Sequence, residues 1–316
     1  MVLLRVMKKH YLVVIGGCTG VGKTGLAVQL ARHWQTAVIS ADSRQIYREL
    51  RIGVARPSPE TLATVPHHQI ADHSIEAPYD VAHYEKEVLV LLDRLFQSNP
   101  VVILVGGTGF YLRAILEGLD PLPANDPAIL AQIQSTLEKE GLAALQKEVL
   151  KRDPTVAGQM DLQNARRVVR ALCVMRQTGQ PISELWKGKA VDRDFIAIPL
   201  LLDLPREDLY HRIDQRVDAM MQEGLLDEVR SLLPYRGLPA LETVGYQELF
   251  DHLEGKTGLV EAVELVKTHT RQYAKRQVTW FKKYFPAERF SPEDVKAILN
   301  YITDQMETYE REHLAS

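Results

Sequence analysis

The segment Gly17–Thr24 is the clearest candidate for a site that binds a charged ligand. It fits the pattern G-x-x-x-x-G-K-[ST], which binds phosphate groups when it joins a strand to a helix. Glycines let backbone N–H groups converge on phosphate oxygens, and the start of the helix adds positive potential. We expect a phosphate site formed by Gly17, Cys18, Thr19, Gly20, Val21, Gly22, Lys23 and Thr24. A purely structural glycine-rich turn is the alternative.

Three side chains of this loop have specific chemistry. Lys23 supplies a positive charge to phosphate oxygens, and the hydroxyl of Thr24 can ligate Mg²⁺, the cofactor we expect. Loop amides and Lys23 favour negative charge nearby, so we expect Cys18 to form a reactive thiolate. The alternative for Cys18 is an inert thiol that points into the sheet.

An acidic residue is missing where a nucleotide-hydrolysing P-loop protein usually has one, at the end of a neighbouring strand. The apolar run Val101–Val105 ends in glycines instead. Asp42, directly after the run Thr36–Ser40, is the best acidic candidate, because strand ends beside a phosphate loop face the ligand crevice of an open sheet. Its alternative role is that of a loop or helix cap.

The segment Gly106–Gly109 is predicted to lie at the same crevice. Thr108 is placed at the tip of the strand, where its hydroxyl could contact a substrate. The glycines Gly106, Gly107 and Gly109 would let a substrate approach the backbone closely. A tight turn is the alternative.

Two stretches of the chain carry basic residues and no acidic ones. The range 162–183 has Arg166, Arg167, Arg170 and Arg176, and the range 265–287 has Lys267, Arg271, Lys275, Arg276, Lys282 and Lys283. The rest of the chain carries 28 basic against 41 acidic residues, so the net charge of −3 hides both stretches. Cationic helices with interleaved aromatic residues suit an RNA backbone with unstacked bases. The alternative is a solvated face whose aromatic residues pack in the core.

The elements that position these residues alternate between strand and helix in the first third of the chain. Apolar runs predict strands at Tyr11–Ile15, Thr36–Ser40 and Val101–Val105, and helical periodicity predicts helices at Thr24–His33 and Val81–Phe96. This alternation is typical of an α/β fold with a parallel sheet.

The pattern changes after residue 119. Helical periodicity without strand-like runs extends from Pro127 to about Trp186. A strand follows at Phe195–Leu202, where Pro199 indicates an edge or a bulge, and amphipathic helices follow at Leu209–Leu233 and Leu259–Tyr284. We expect an α/β core formed by residues 1–121 and 195–290, a helical insertion at 122–194 and a helical tail at 291–316.

The composition is that of a globular protein. The 316 residues are 46% hydrophobic and 25% charged, which excludes disordered, collagen-like and coiled-coil classes. Two cysteines cannot form a disulfide framework or a four-thiolate zinc site. The longest uncharged stretch, 97–112, is too short to span a bilayer, and the apolar run before Gly17 is too short for a signal peptide. We expect a cytoplasmic protein without a membrane partner.

Taken together, these features resemble the tRNA dimethylallyltransferase family, also called the tRNA isopentenyltransferase family. The resemblance extends from about residue 11 to residue 283. In the first half it rests on the phosphate loop, Asp42-Ser-Arg-Gln-Ile-Tyr47, Ile52-Gly53 with Arg56-Pro57, Pro66-His67-His68 with Asp72, and Gly106-Gly-Thr-Gly-Phe-Tyr111. In the second half it rests on 164–172 with Thr178-Gly179, 216–221 with Gly224-Leu225 and Glu228-Val229, Val244-Gly-Tyr246, and 275–280.

The resemblance implies a P-loop core with a helical insertion that grips the tRNA anticodon arm, in an enzyme that we expect to be monomeric. It implies transfer of a dimethylallyl group from its diphosphate to N6 of the adenosine 3′-adjacent to the anticodon. The phosphate loop would hold the diphosphate, Asp42 would accept the N6 proton, Thr108 would contact the adenosine or its phosphate, and Arg216 would reach the diphosphate. The tRNA-binding residues would be Asp42, Ser43, Arg44, Gln45, Thr108, Arg166, Arg167, Arg170, Gly245, Tyr246, Lys275, Arg276, Gln277, Trp280 and Lys282.

Several positions depart from the family pattern. They are Cys18, where proline is usual, and Val54, Arg56, Leu130, Cys173, Glu242 and Gln247. Whether Leu130, Glu242 and Gln247 alter contacts with tRNA stays open at this stage. The nearest alternative function is prenylation of a free adenine nucleotide, which would leave the basic stretches without a ligand. A small-molecule P-loop kinase is a second alternative, and a non-catalytic RNA-binding protein is a third.

Overall fold

The structure is a computed structural model that describes residues 10–186, 188 and 191–314. The chain divides into two compact units, Met1–Leu116 with Asp192–Ser316, and Glu117–Val191. The second unit overlaps the range 122–194 in which we expected a helical insertion, with different bounds. Among the described helices, none is long and apolar enough to cross a membrane.

The first unit contains a parallel sheet of six strands in the order β3-β2-β4-β1-β5-β6. The strands are β1 (Tyr11–Gly16), β2 (Val38–Ser40), β3 (His67–His68), β4 (Val101–Gly106), β5 (Ile196–Leu202) and β6 (Glu288–Phe290). The predicted α/β fold with a parallel sheet is confirmed. Sequence periodicity missed β3 and β6, because two or three residues are too few to show a pattern.

Pro199 is compatible with a strand inside the sheet, so the prediction of an edge strand is wrong. Strand β5 pairs with β1 on one side and with β6 on the other. The amide of Ile196 donates to the carbonyl of His10 on the β1 side. Because amides alternate sides along a strand, the nitrogen of Pro199 faces the β6 side, where pairing begins only at Leu200.

The described helices of the first unit pack on both faces of the sheet and beside it. They are α1 (Lys23–His33), α2 (Pro59–Leu62), α3 (Val81–Phe96), α4 (Gly109–Glu117), which extends one residue into the second unit, α9 (Arg206–Gln222), α10 (Leu225–Ser231), α11 (Tyr246–Leu253), α12 (Leu259–Tyr284) and α13 (Val295–Leu314). The single helix predicted at Leu209–Leu233 is wrong. Gly224 adopts a φ of 97° between α9 and α10, a left-handed conformation that ends the first helix at low steric cost.

Alternation along β1 distributes its side chains between two cores. Tyr11, Val13 and Ile15 pack with α1 and α13, whereas Leu12 and Val14 pack with α3 and α4. All six residues of β1 are buried, as expected for a central parallel strand covered on both faces. A third core, built around Tyr246 and Phe250, lies among α9 to α12 and the segment 46–52.

The second unit is helical, as predicted for its sequence. It contains α5 (Pro127–Glu140), α6 (Leu142–Arg152), α7 (Ala165–Thr178) and α8 (Ile182–Leu185), with a 3₁₀ turn at Pro154–Gly158. Asp126 caps α5 and Asn164 caps α7 through side-chain oxygens. Its own core includes Ile133, Leu145 and Leu172.

Candidate active site

A cleft of about 570 Å³ lies at the carboxyl ends of β1, β2 and β4 in the first unit. This is where ligands bind in open α/β sheets. The structure brings most of the predicted catalytic and phosphate-binding residues together there. Among the residues predicted for the site, the cleft is lined by Thr19, Gly20, Gly22, Lys23, Thr24, Asp42, Ser43, Arg44, Gln45, Arg216, Gly245, Arg276 and Gln277.

The phosphate loop joins β1 to α1, as the motif requires. Gly20 and Gly22 have φ angles of 83° and 102°, which side chains rarely tolerate. Helix α1 begins at Lys23, directly after Gly22, so its positive end faces the cleft. The Nζ atom of Lys23 donates a 2.7 Å hydrogen bond to the carbonyl of Cys18.

Lys23 has an unusually low pKa. Its pKa is lowered to about 8, mainly because the side chain is buried; the nearby Arg216 also lowers it, whereas Cys18 and Asp42 oppose the shift. Arg216, on α9, is exposed to the cleft. The charges of Lys23, Arg216 and Asp42 therefore act on one another across a single site.

Cys18 does not have the reactive thiolate that the sequence led us to expect. Its side chain is 3% exposed and packs in the core with β1 and α1. Burial raises the pKa of the Cys18 thiol, and this effect exceeds the opposing effect of Lys23. Like Gly17 and Val21, Cys18 is buried in the loop and does not line the cleft.

Asp42 has one oxygen that supports the local turn and one that is available. Its Oδ1 accepts hydrogen bonds from the amides of Arg44 (2.9 Å) and Gln45 (3.2 Å). Within the described chain, Oδ2 has no hydrogen-bond partner, and the half-buried side chain lines the cleft. Asp42 thus caps the turn, as its alternative role required, and still presents an acceptor to a ligand.

Thr108 supports the Asp42 turn and does not line the cleft. Its Oγ1 accepts a hydrogen bond from the amide of Ser43 (3.0 Å) and donates one to Oγ of Ser43 (3.3 Å). Its backbone amide donates to the carbonyl of Ala41. The geometry therefore supports a positioning role for Thr108, through the turn that carries Asp42.

The three glycines of the β4 loop make room for neighbouring protein atoms, and Gly106 and Gly107 also line the cleft. A Cβ on Gly106 would lie 2.0 Å from the carbonyl oxygen of Ala41. A Cβ on Gly107 would lie 2.6 Å from Nε2 of Gln277, and one on Gly109 would lie 2.2 Å from the Trp280 ring. Helix α12 therefore packs directly on this loop at Gly107 and Gly109.

Three polar or aromatic residues predicted to bind tRNA are occupied within the protein. The Tyr246 side chain is fully buried and donates a 2.6 Å hydrogen bond to Glu228. The side-chain amide of Gln45 donates hydrogen bonds to the carbonyls of Val54 and Ala55, both at 3.1 Å. Gln277 is 8% exposed and is hydrogen-bonded at both ends of its amide. These positions argue against direct contacts between the three side chains and tRNA.

Gly245 and Arg44 have separate structural roles at the cleft, as Ser43 has through its contacts with Thr108. The amide of Gly245 donates a 2.7 Å hydrogen bond to Glu248. Arg44 donates to the backbone carbonyls of Pro239 and Glu242. These contacts hold Arg44, Glu242 and Gly245, which all line the cleft.

The cationic face of α12 is smaller than its sequence predicts. Lys267 forms ion pairs with Asp218 and Glu264, and Arg271 forms one with Asp214. The acids come mainly from α9, which the sequence of α12 alone could not reveal. Lys275, Arg276 and Lys282 remain exposed, with Arg276 lying over the ring of Tyr273. Trp280 is half-buried against Gly109.

The arginines of α7, in the second unit, fall into two groups. Arg176 is paired with Glu148, and Arg170 donates to the side chain of Asn125 and the carbonyl of Pro123. Arg166 and Arg167 are exposed. Only part of this basic stretch is thus presented to solvent.

The family model for IPP transferases matches residues 45–284 of this chain. The chain belongs to the tRNA dimethylallyltransferase (IPP transferase) family. Similar proteins include the tRNA dimethylallyltransferase of Cytophaga hutchinsonii, with 42% identity over 94% of this chain and 98% of the relative. The tRNA dimethylallyltransferase of Christiangramia forsetii is also 42% identical, over 95% and 99% of the two chains.

Solved structures of family members have the same fold. The tRNA isopentenylpyrophosphate transferase of Bacillus halodurans superimposes with a TM-score of 0.70 and 32% identity, over 96% of this chain and 100% of the other. A eukaryotic dimethylallyltransferase, described as acting on tRNA, superimposes with a TM-score of 0.78 and 25% identity, over 97% and 80% of the chains.

The structure shows the surroundings of three positions that depart from the family pattern. Gln247 donates a 2.8 Å hydrogen bond to the carbonyl of Leu241. Glu242 is exposed and lines the cleft, and Leu130 packs against the core of the second unit.

Sequence reasoning missed the role of Glu228, on α10. Its carboxylate accepts hydrogen bonds from the amides of Ile52 (2.8 Å) and Gly53 (3.1 Å) and from the hydroxyl of Tyr246. Gly53, Val54 and Ala55 line the cleft. The family motif marks Glu228, but its sequence distance from residue 52 hides this contact.

Proposed function

We propose that this protein transfers a dimethylallyl group from dimethylallyl diphosphate to N6 of the adenosine 3′-adjacent to the anticodon of tRNA, with release of diphosphate. The observation that carries the proposal is one cleft that combines a phosphate loop with the available Oδ2 of Asp42. The family relationship supports the same reaction.

The cationic side of the cleft suits the leaving group. When the bond between the allylic carbon and oxygen breaks, negative charge develops on diphosphate. Lys23, Arg216 and the amides of the phosphate loop lie where they can stabilise that charge. Lys23 is partly deprotonated near pH 8 in the free protein, and bound diphosphate would favour its charged form.

Asp42 suits the role of proton acceptor. The lone pair of the adenine N6 is delocalised into the ring, so the amine is a weak nucleophile. As N6 bonds to the allylic carbon, Oδ2 accepts the N6 proton while Oδ1 remains bonded to the turn. The adenosine must leave the anticodon stack to reach this acceptor, at a cost of a few kcal/mol.

Mg²⁺ fits this site as a partner of the diphosphate. The exposed Thr24 hydroxyl lines the cleft and has no hydrogen-bond partner within the described chain. No group of three His, Cys, Asp or Glu side chains suited to a metal occurs among the described residues. Mg²⁺ commonly combines one or two protein ligands with phosphate oxygens and water, and it would supply further neutralisation of the leaving group.

The tRNA would bind through the exposed cations. We assign Lys275, Arg276 and Lys282 of α12, and Arg166 and Arg167 of α7, to the anticodon arm, since they are exposed. Helix α7 belongs to the helical unit, which would grip that arm. We propose that the enzyme acts as a monomer and that the reaction takes place in the cytoplasm, where tRNA is found.

A labelling experiment tests the proposed function. Radiolabelled dimethylallyl diphosphate is offered with bulk tRNA, AMP or ATP in the presence of Mg²⁺. We expect label in tRNA only, at the adenosine 3′ of the anticodon. Label in AMP or ATP and not in tRNA would instead identify a nucleotide prenyltransferase, and label in none would reject prenyl transfer.

A further inference from the structure

Gln277 connects α12 to the phosphate loop through both ends of its side-chain amide. Its Oε1 accepts a 2.9 Å hydrogen bond from the amide of Thr19, and its Nε2 donates a 2.8 Å hydrogen bond to the carbonyl of Gly107. The residue is 8% exposed. Donor and acceptor are each matched by one partner, so the orientation of the amide is fixed.

The two partners of Gln277 belong to two different segments that line the cleft. Thr19 belongs to the phosphate loop, and Gly107 follows β4. A Cβ on Gly107 would lie 2.6 Å from Nε2 of Gln277 and 3.6 Å from Nζ of Lys23. The Gln277 amide therefore lies beside the same backbone segment that borders the Lys23 ammonium.

Neighbouring residues of α12 keep Gln277 in this place. A Cβ on Gly16, at the end of β1, would lie 2.8 Å from the Phe281 ring, and one on Gly109 would lie 2.2 Å from the Trp280 ring. Close packing at both glycines leaves little freedom for the helix to shift. The segment 277–281 thus forms a rigid support behind the phosphate loop.

We infer that Gln277 is a positioning residue for the diphosphate site, although it lies on the helix whose exposed cations we assign to tRNA. It holds the loop around Thr19 at a fixed distance from β4, so that the loop amides and Lys23 meet the diphosphate in one arrangement. The inference rests on the proposed function for the identity of the donor substrate.

The test compares binding of the two substrates in Gln277→Leu, which keeps the approximate size and removes both hydrogen bonds. We expect the Kd of dimethylallyl diphosphate to rise about tenfold, as for the loss of one to two net hydrogen bonds, and the Kd of tRNA to stay within about twofold. Gln272→Leu, the same change at an exposed position of α12, is the matched control and should change neither. A raised Kd for tRNA with unchanged binding of the donor would overturn the inference.

A second pair of variants protects the test against simple misfolding. Gly107→Ala should weaken donor binding by displacing the Gln277 amide, and it should do so less in a Gln277→Ala background, where that amide is absent. Equal effects of Gly107→Ala in both backgrounds would contradict the inference. Thermal unfolding of each variant is measured in parallel.

Inorganic diphosphate is used alongside dimethylallyl diphosphate as a second ligand in every binding measurement. If wild type binds diphosphate but transfers no prenyl group, the proposed function fails, while the Gln277 variants still test the support of the loop. If wild type transfers the prenyl group and Gln277→Leu binds both probes normally, only the inference about Gln277 fails.

Discussion

The Tyr246 hydroxyl donates a 2.6 Å hydrogen bond to Oε1 of Glu228, beneath the segment that lines one wall of the cleft. The same carboxylate holds the amides of Ile52 and Gly53. The carbonyls of Val54 and Ala55 in turn accept hydrogen bonds from the side-chain amide of Gln45. The backbone amide of Gln45 donates a hydrogen bond to Oδ1 of Asp42. A continuous set of contacts therefore runs from Glu228 to the proposed proton acceptor.

Glu228→Gln should lower the free energy of unfolding by about 1–3 kcal/mol, because a carboxamide cannot accept all three hydrogen bonds. Tyr246→Phe removes one of these hydrogen bonds and should lower the free energy of unfolding by about 1 kcal/mol. Urea denaturation with an unchanged m-value measures both. Asp227→Asn breaks an exposed ion pair with Arg230 on the same helix and should have a smaller effect. An equal loss in Asp227→Asn would contradict the importance of the half-buried Glu228 carboxylate.

Asp42→Asn should reduce kcat by about 10²–10⁴-fold while tRNA affinity is retained. Asparagine keeps an Oδ1 acceptor for the amides of Arg44 and Gln45 but removes the proton acceptor. Single-turnover transfer and tRNA binding measure the two effects. A decrease of less than about tenfold would show that Asp42 is not the general base.

Lys23→Ala and Arg216→Ala should act on the isoprenoid donor. Both variants remove positive charge from the cleft, so the KM for dimethylallyl diphosphate should rise or kcat should fall. The Kd of tRNA should stay within about twofold. A defect confined to tRNA binding in either variant would contradict the assignment of the diphosphate site.

Donor binding should be accompanied by proton uptake above about pH 8. Burial lowers the pKa of Lys23 to about 8, so the free protein loses this charge as the pH rises through 8. Bound diphosphate raises the pKa again, so a proton enters with the ligand and affinity falls with rising pH. Calorimetry at pH 8.5 in two buffers of different ionisation enthalpy measures the uptake. Lys23→Ala should abolish it, and persistence of the uptake in that variant would assign it elsewhere.

Removal of the charges of Lys275 and Arg276 should make tRNA binding less dependent on salt. Each lost phosphate contact should reduce the slope of log K against log salt by about 0.7 to 0.9. The matched control is removal of Lys267 and Arg271, which lie on the same helix but are paired with acids, and its slope should not change. Equal slopes in wild type and the Lys275 Arg276 variant would place these residues on a merely solvated face.

The sequence by itself determined the fold class, the phosphate loop and the family. These conclusions depend on local order: an apolar run, glycines, Lys23 and the start of a helix must be adjacent for the motif to work. The same locality explains the correct prediction of α3, α12 and a helical second unit. Asp42 was found because a strand end beside a phosphate loop must face the crevice.

Only the tertiary structure decided which charged and hydrogen-bonding side chains, distant in sequence, are paired with one another. The acids that pair with Lys267 and Arg271 come mainly from α9, and Gln277 reaches a loop 258 residues away. The fate of Cys18 was also a matter of packing, since burial in the core raises its pKa more than Lys23 can lower it. Charge and reactivity depend on desolvation and neighbours, and neither can be obtained from the order of residues along a single element.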